Sequence, residues 1–251
     1  MSVFIAFRKE WLELIRSYRL LIVAVVLVFF GLSSPFLTKY TPELMTLIPT
    51  GKITISMPPP TIADSIAQYT KNMGQFGIIL GLLLSMGAIA QEKDKGTAAM
   101  MLVKPLPRGA FLSAKFLGLA AMFAVSLASA ASACYYYTLL LFESMDILHW
   151  LVLNLLLLVY IMVIVAITLL CSTVTRSQAA AVGIAIVLLV IGWLAGGVLG
   201  LGDYLPGELI TWGMRLMQGD TTVSWVALGV SLGLIVAPLL AAGLIFRNQE
   251  L

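Results

Sequence analysis

Residues 91–115, QEKDKGTAAMMLVKPLPRGAFLSAK, decide how the rest of the chain is read. They hold five basic residues (Lys93, Lys95, Lys104, Arg108, Lys115) against two acidic ones (Glu92, Asp94). Long apolar runs flank them on both sides. A charged segment between two such runs lies at a membrane face, and short loops rich in Lys and Arg stay in the cytoplasm. Setting topology is the plainest role for such a loop. Its internal order points further. The charged run leads into Gly96-Thr97, with Thr97 suited to cap a helix start. A short apolar turn follows at 98–103, and Pro105 and Pro107 stop it. Met100, Met101 and Leu102 are then presented from a short, bounded helix, which fits a docking site for a cytoplasmic partner.

Outward from this loop, the 251 residues are 61% hydrophobic and 11% charged, with a mean hydropathy of +1.03. Soluble domains carry about 25% charged residues. A bilayer-crossing helix needs about 20 mostly apolar residues. Six runs meet that length, at about 20–38, 73–90, 116–142, 150–172, 179–202 and 224–246. They fill the chain and leave no room for a separate soluble domain. They are too continuous for barrel strands, which alternate over about 10 residues. The expected fold is all-α, a polytopic membrane protein with six transmembrane helices in one domain, 1–251. Eleven of the 15 basic residues fall on the side of the 91–115 loop and four, Lys39, Lys52, Lys71 and Arg215, on the other. That bias and the even number of spans put both termini in the cytoplasm. Cys134 and Cys171 fall inside spans and read as small packing residues, with no disulfide framework or metal spacing.

Residues 2–19 place Phe4, Phe7, Trp11, Leu14 and Tyr18 on one helical face and Lys9, Glu13, Arg16 and Ser17 on the other. This reads as an interfacial helix along the inner leaflet, with Arg8 and Arg19 reaching the headgroups. The connection at 39–72 contains Pro58-Pro59-Pro60, an alternating stretch at 51–57 suited to a strand, and Thr61 as an N-cap with Asp64 three residues on. A helix from Ile62 onward puts Gln68, Asn72 and Gln75 on one face, to line a cavity or meet another subunit. The small residues at 120–133 suit close helix packing. Asn154 stands alone in an aliphatic span, where an interhelical hydrogen bond is the ordinary role and a substrate contact the rarer one. With Gln68, Asn72 and Gln75 it makes the candidate translocation path. Gly192, Gly196 and Gly200 suit helix packing or a broken helix end. Within 203–222, Glu208, Thr211, Arg215 and Gln218 share one face and Leu205, Leu209, Trp212 and Leu216 the other. An amphipathic helix over about 205–219, too short to span, is expected on the outer side.

No G-x-x-x-x-G-K-[ST] phosphate loop occurs, so ATP binding of the usual kind is excluded. No Asp, Glu, Lys or Arg falls inside an expected span, which counts against a channel or ion-coupled carrier. No H-E-x-x-H motif or intramembrane histidine supports proteolysis, and His149, beside Trp150, reads as an interfacial residue.

The pattern Glu92-Lys-Asp-Lys-Gly96-Thr97, followed by Pro105, Arg108 and Lys115, resembles the first cytoplasmic loop of type-2 ATP-binding-cassette permeases. The specific part of the resemblance covers about 25 residues, and the six-span layout extends it over the chain. It implies that the loop carries a coupling helix seated on a separate cytoplasmic ATPase. The residues assigned to that interface are Glu92, Lys93, Gly96, Thr97, Met100, Met101, Leu102, Lys104, Pro105, Pro107, Arg108 and Lys115. It further implies an N-terminal elbow helix and outer re-entrant helices near 203–222. The expected function is the permease subunit of an ATP-driven transporter, mostly an exporter, in a prokaryotic plasma membrane. The chain itself is not an enzyme and holds no cofactor; ATP and Mg²⁺ are expected on the partner ATPase. The other partners are a second permease chain, identical or related, and membrane lipid, with no nucleic acid. The few polar groups in the spans favour a lipid-like, hydrophobic or peptide cargo. The alternative is a non-transporting membrane scaffold or assembly factor that recruits a cytoplasmic protein through the same loop.

Overall fold

The computed structural model describes residues 2–46, 59–94, 108–142 and 144–248. All regular structure among them is helical: α1 (Ser2–Arg16), α2 (Arg19–Thr46), α3 (Ile62–Asp94), α4 (Arg108–Leu141), α5 (Ile147–Val174), α6 (Gln178–Val198), a 3-10 turn (Gly202–Tyr204), α7 (Gly207–Met217) and α8 (Trp225–Asn248). Six of them, α2 to α6 and α8, are long and apolar enough to cross a membrane. This is a six-span, all-α membrane protein.

Several helices overrun the apolar runs that reveal them. α3 and α4 have 33 and 34 residues, about 50 Å at 1.5 Å per residue, against a hydrocarbon core of about 30 Å. Hydropathy reports which part of a helix lies in lipid, not where its hydrogen-bond ladder stops. The connection expected from Lys39 onward is accordingly helical as far as Thr46, with Pro35 and Pro42 inside α2. The hydroxyls of Ser33 and Ser34 both donate to Phe30 O, and that of Thr38 to Ser34 O. Such back-bonding is how polar side chains are tolerated inside a span. α3 opens with a reciprocal cap: Thr61 N donates to Asp64 Oδ2 at 2.9 Å and Asp64 N to Thr61 Oγ1 at 3.3 Å. The alternating stretch at 51–57 lies outside the described residues.

The core is built around α5. Two thirds (67%) of its most apolar window is buried, against 11% for α6 and 17% for α8. α5 packs on α3, α4, α6, α7 and α8, while α2 packs on α3 and α4. Two backbones come close at Gly31 of α2, where an added Cβ would meet the Ala130 carbonyl oxygen of α4 at 2.9 Å. Only glycine fits there, and the small residues of α4 allow that approach. The outward faces of α6 and α8 remain apolar, with Ile191, Leu194, Val226 and Leu240 exposed. Surfaces of this kind are stable only in a non-aqueous setting.

α1 meets α2 at a sharp bend. Tyr18 holds φ at 58°, in the left-handed region. The helix therefore stops at Arg16, and the expected apolar stripe is divided. Leu14 is buried, Phe7 and Trp11 are half-buried, and Phe4 and Tyr18 stay exposed. At the end of α6, Gly200 takes φ +68° and the helix gives way to the 3-10 turn.

Candidate functional site

The residues around the 91–115 loop gather at the end of the bundle that also holds α1. α1 lies along the start of α4 at close range: an added Cβ on Gly118 would be 3.3 Å from Glu10 Cβ. This brings Glu10 against Lys115, 105 residues away, with Lys115 Nζ donating to Glu10 Oε2 at 3.0 Å. Both side chains are buried, at 6% exposure for Lys115 and 12% for Glu10. Lys115 Nζ also lies 5.2 Å from the centre of the Phe111 ring. Phe111 in turn stacks on Phe246 of α8, with centroids 5.8 Å apart. A cleft of about 30 Å³ beside the pair is lined by Glu10, Arg19, Leu84, Ala88 and Lys115, so α1, α2, α3 and α4 converge there. Desolvating two charges is costly unless they are well paired. The ion pair thus specifies one seating of α1 on α4, and removing either partner leaves a buried charge.

The other flank of the loop is held by α5 and α6. Ser172 Oγ, on α5, donates to Met86 O at 2.8 Å and accepts from Ile89 N at 3.2 Å and Ala90 N at 2.9 Å. A hydroxyl is set into the hydrogen-bond ladder of α3 a few residues before the loop. Insertions of this kind are where helices bend. One turn away, the Gln178 side chain lies against Gly87, 3.3 Å from where a Cβ would stand. Both helical arms of the loop therefore spring from fixed points: α4 from Glu10 and Phe246, α3 from Ser172 and Gln178.

Of the residues assigned to the coupling interface, Gly96, Thr97, Met100, Met101, Leu102, Lys104, Pro105 and Pro107 lie outside the described residues. Glu92 and Lys93 fall in the last turn of α3, and Arg108 opens α4. Lys115 is seven residues into α4, buried, and bonded to Glu10 of the same chain. The run FLSAKFLGL around it carried the signal of a lysine in an apolar setting. Nothing local pointed to Glu10 as its partner, nor to Ser172.

The candidate path residues divide. Asn154 Oδ1 accepts from Tyr69 OH at 2.6 Å, and its Nδ2 donates to Trp150 O at 2.9 Å. Tyr69 also packs on the Trp150 ring, with centroids 4.8 Å apart. Asn154 thus joins α3 to α5 inside one subunit. Gln68 Nε2 donates to Asn72 Oδ1 at 3.2 Å, and Asn72 Nδ2 to Ser34 Oγ at 2.9 Å, which joins α3 to α2. Gln75 remains exposed, on a face it shares with Lys71, Ile79 and Leu83.

At the opposite end, α7 lies against α5. Leu209 and Trp212 are buried with Leu156 and Ala227, while Thr211 is exposed. Arg215 Nη2 donates to Glu208 Oε1 and, at 3.1 Å, to Ser224 Oγ. Ser224 Oγ donates to Glu208 Oε1 at 3.1 Å. This triad ties α7 to the start of α8. Among the described residues no group of three or more His, Cys, Asp or Glu is placed to hold a metal ion.

Six apolar helices, a polar clamp at each end and an amphipathic helix ahead of the first span define a polytopic integral membrane protein. Residues 4–251 match the family described as "ABC-2 family transporter protein", and the chain belongs to that family of transporter membrane components. It is also 28% identical over 140 residues to the "Uncharacterized transmembrane protein YxlG" of Bacillus subtilis (strain 168). That alignment covers 54% of this chain and 54% of the relative, so the similarity spans about half of each.

Proposed function

We propose that this chain is the permease subunit of an ATP-driven exporter in a prokaryotic plasma membrane. It works with a second permease chain, identical or related, and a separate cytoplasmic ATPase that supplies the ATP and Mg²⁺ site. In this reading the end holding α1 and the 91–115 loop faces the cytoplasm, as the eleven-to-four bias in basic residues indicates. The ATPase seats on 98–103, and nucleotide-driven closure moves that segment. The observation that carries the reading is the pair of fixed points on either side of the loop. Lys115 is clamped by Glu10, and the end of α3 by the Ser172 hydroxyl. A segment anchored at both roots passes displacement into α3 and α4, and through them to the bundle. A free loop absorbs it. Lys115 acts here as a positioning residue, and docking falls to the residues between the two arms.

The test is co-purification with the ATPase together with transport-linked ATP hydrolysis. Buried interface anchors commonly carry about 2 kcal/mol or more each, whereas rim charges act mainly on orientation and on-rate. Met101→Asp or Leu102→Asp is expected to release the ATPase or uncouple hydrolysis, and Lys93→Ala to do little. Gly96→Val falls between. Full complex and full activity in the aspartate variants would remove the docking role. A stable complex with a cytoplasmic protein that lacks a phosphate-loop motif would favour the scaffold reading instead.

A further inference from the structure

The end of the bundle remote from α1 holds a cavity of about 820 Å³. It opens between the last turns of α2, the first turns of α3, the α4–α5 connection and the end of α7. Pockets that enclose small organic ligands span about 300–1,000 Å³ and are mainly apolar with a few placed polar groups. This one has that size, and its lining divides about equally into an apolar and a polar side. Ile66, Phe142, Met214 and Met217 form an apolar wall, and methionines adapt to flexible hydrocarbon. Lys39 stands on the polar side, exposed, with Nζ 5.2 Å from the centre of the Phe142 ring. Among the described residues no carboxylate lies within ion-pair distance of it.

The remaining charges lining the cavity are already committed. Asp146 caps α5 through Oδ1, which accepts from Leu148 N at 2.8 Å. Its Oδ2 lies 2.9 Å from His149 Nδ1. Both Asp146 oxygens thus already have a partner within the chain. In the neutral imidazole, a proton on Nδ1 leaves Nε2 as an acceptor. Among the described residues the cavity thus offers a lysine ammonium with no carboxylate at ion-pair distance, an imidazole and an apolar wall.

We propose that this cavity is a binding site for a single-chain anionic amphiphile, its charged head at Lys39, a head hydroxyl at His149 and its hydrocarbon along Ile66, Met214 and Met217. As a statement about cargo this rests on the transporter reading; as a statement about a ligand site it does not. All of its lining residues come from one subunit.

Photo-cross-linking on the full-length permease in phosphatidylcholine nanodiscs, with no ATPase present, tests it. The probes are lysophosphatidic acid and palmitate, each with a diazirine in the tail, and the two separate a phosphate head from a carboxylate head. Labelling is expected to saturate and to map to 60–67 and 214–218. Unlabelled probe should compete, and a neutral monoacylglycerol of the same chain should not. Lys39→Gln is expected to weaken labelling by about tenfold, the effect of one lost hydrogen bond to a charged group. Ala67→Trp fills the space from an exposed position and should abolish labelling with an unchanged melting temperature. Unsaturable labelling spread over α6 and α8, equal competition by the neutral lipid, or indifference to both substitutions would overturn the site. Because the ATPase is absent, loss of this site leaves the docking result untouched, and the reverse holds.

Discussion

Replacing Lys115 by Met strips the charge from a buried pair and leaves Glu10 with only the more distant, half-exposed Lys9 ammonium at 3.4 Å. With side-chain exposures of 6% and 12% and an N–O distance of 3.0 Å, bulk water reaches the pair poorly. Breaking such a pair from one side costs about 3–5 kcal/mol, while replacing both partners by apolar residues of similar size is often neutral or stabilising. Lys115→Met also removes the cation over the Phe111 ring, a further ~0.5–2 kcal/mol. For a chain of this size about 3 kcal/mol corresponds to roughly 6–12 °C in melting temperature. Tryptophan fluorescence of the detergent-solubilised protein reads that shift. Lys115→Met and Glu10→Leu should each melt well below the parent, and the double variant above either single one. Lys9 provides the contrast. It is half-exposed and reaches Glu10 at 3.4 Å and Glu13 at 3.7 Å; pairs with an exposed partner contribute about 0.2–1 kcal/mol, so Lys9→Ala should move the transition much less than Lys115→Met. Additive single and double effects would show that Glu10 and Lys115 are not coupled, and the fixed root of α4 would be lost with them. ATPase co-purification on the same variants separates stability from seating: a folded double variant that fails to hold the ATPase would assign the ion pair a role in geometry.

Gly31→Ala should destabilise by about 1–3 kcal/mol, as overpacking does, because its Cβ would press on the Ala130 carbonyl at 2.9 Å; Gly192→Ala meets nothing within 4 Å and should be neutral or slightly stabilising in the same melting assay. Trp212→Asp should lower yield or activity far more than Thr211→Asp, since Trp212 is buried against α5, its burial contributes about 2–3 kcal/mol, and Thr211 is exposed; equal effects would argue against a packed α7. Tyr69→Phe should cost about 1–3 kcal/mol by leaving Asn154 Oδ1 without its donor, measured by thermal unfolding, and no loss would mean that water takes the place of the hydroxyl. Single-cysteine labelling from outside the cell should reach positions 56 and 146 and not 95, 177 or 249; external labelling at 95 would reverse the proposed orientation.

Residues 91–115 and the six apolar runs carried the class of protein, because membrane residence is a sum over local side chains. A stretch such as 150–172 needs no tertiary partner to be read. Thr61 and Asp64 likewise announced their cap from three residues apart. Helix ends were less legible. Lys39 ends an apolar run but not a helix, since the ladder of α2 continues to Thr46. The break at Tyr18 was hidden as well, because the apolar spacing of residues 4–18 runs straight through it.

The polar residues show the division most clearly. Asn154 and Gln68 stood out in the sequence as polar groups needing partners, but Tyr69 and Ser34 did not announce that they would supply them. Lys115 belonged by position to a basic loop, and the fold removed it from that role by laying α1 across α4 and bringing Glu10 to it over 105 residues of chain. The sequence by itself determined which segments enter lipid, because burial in hydrocarbon is set by the composition of each segment alone. Only the tertiary structure decided which buried polar atom meets which, because that depends on how helices distant in the chain are packed. Inside a low-dielectric bundle, leaving such a group unmatched costs as much as a point substitution in the core.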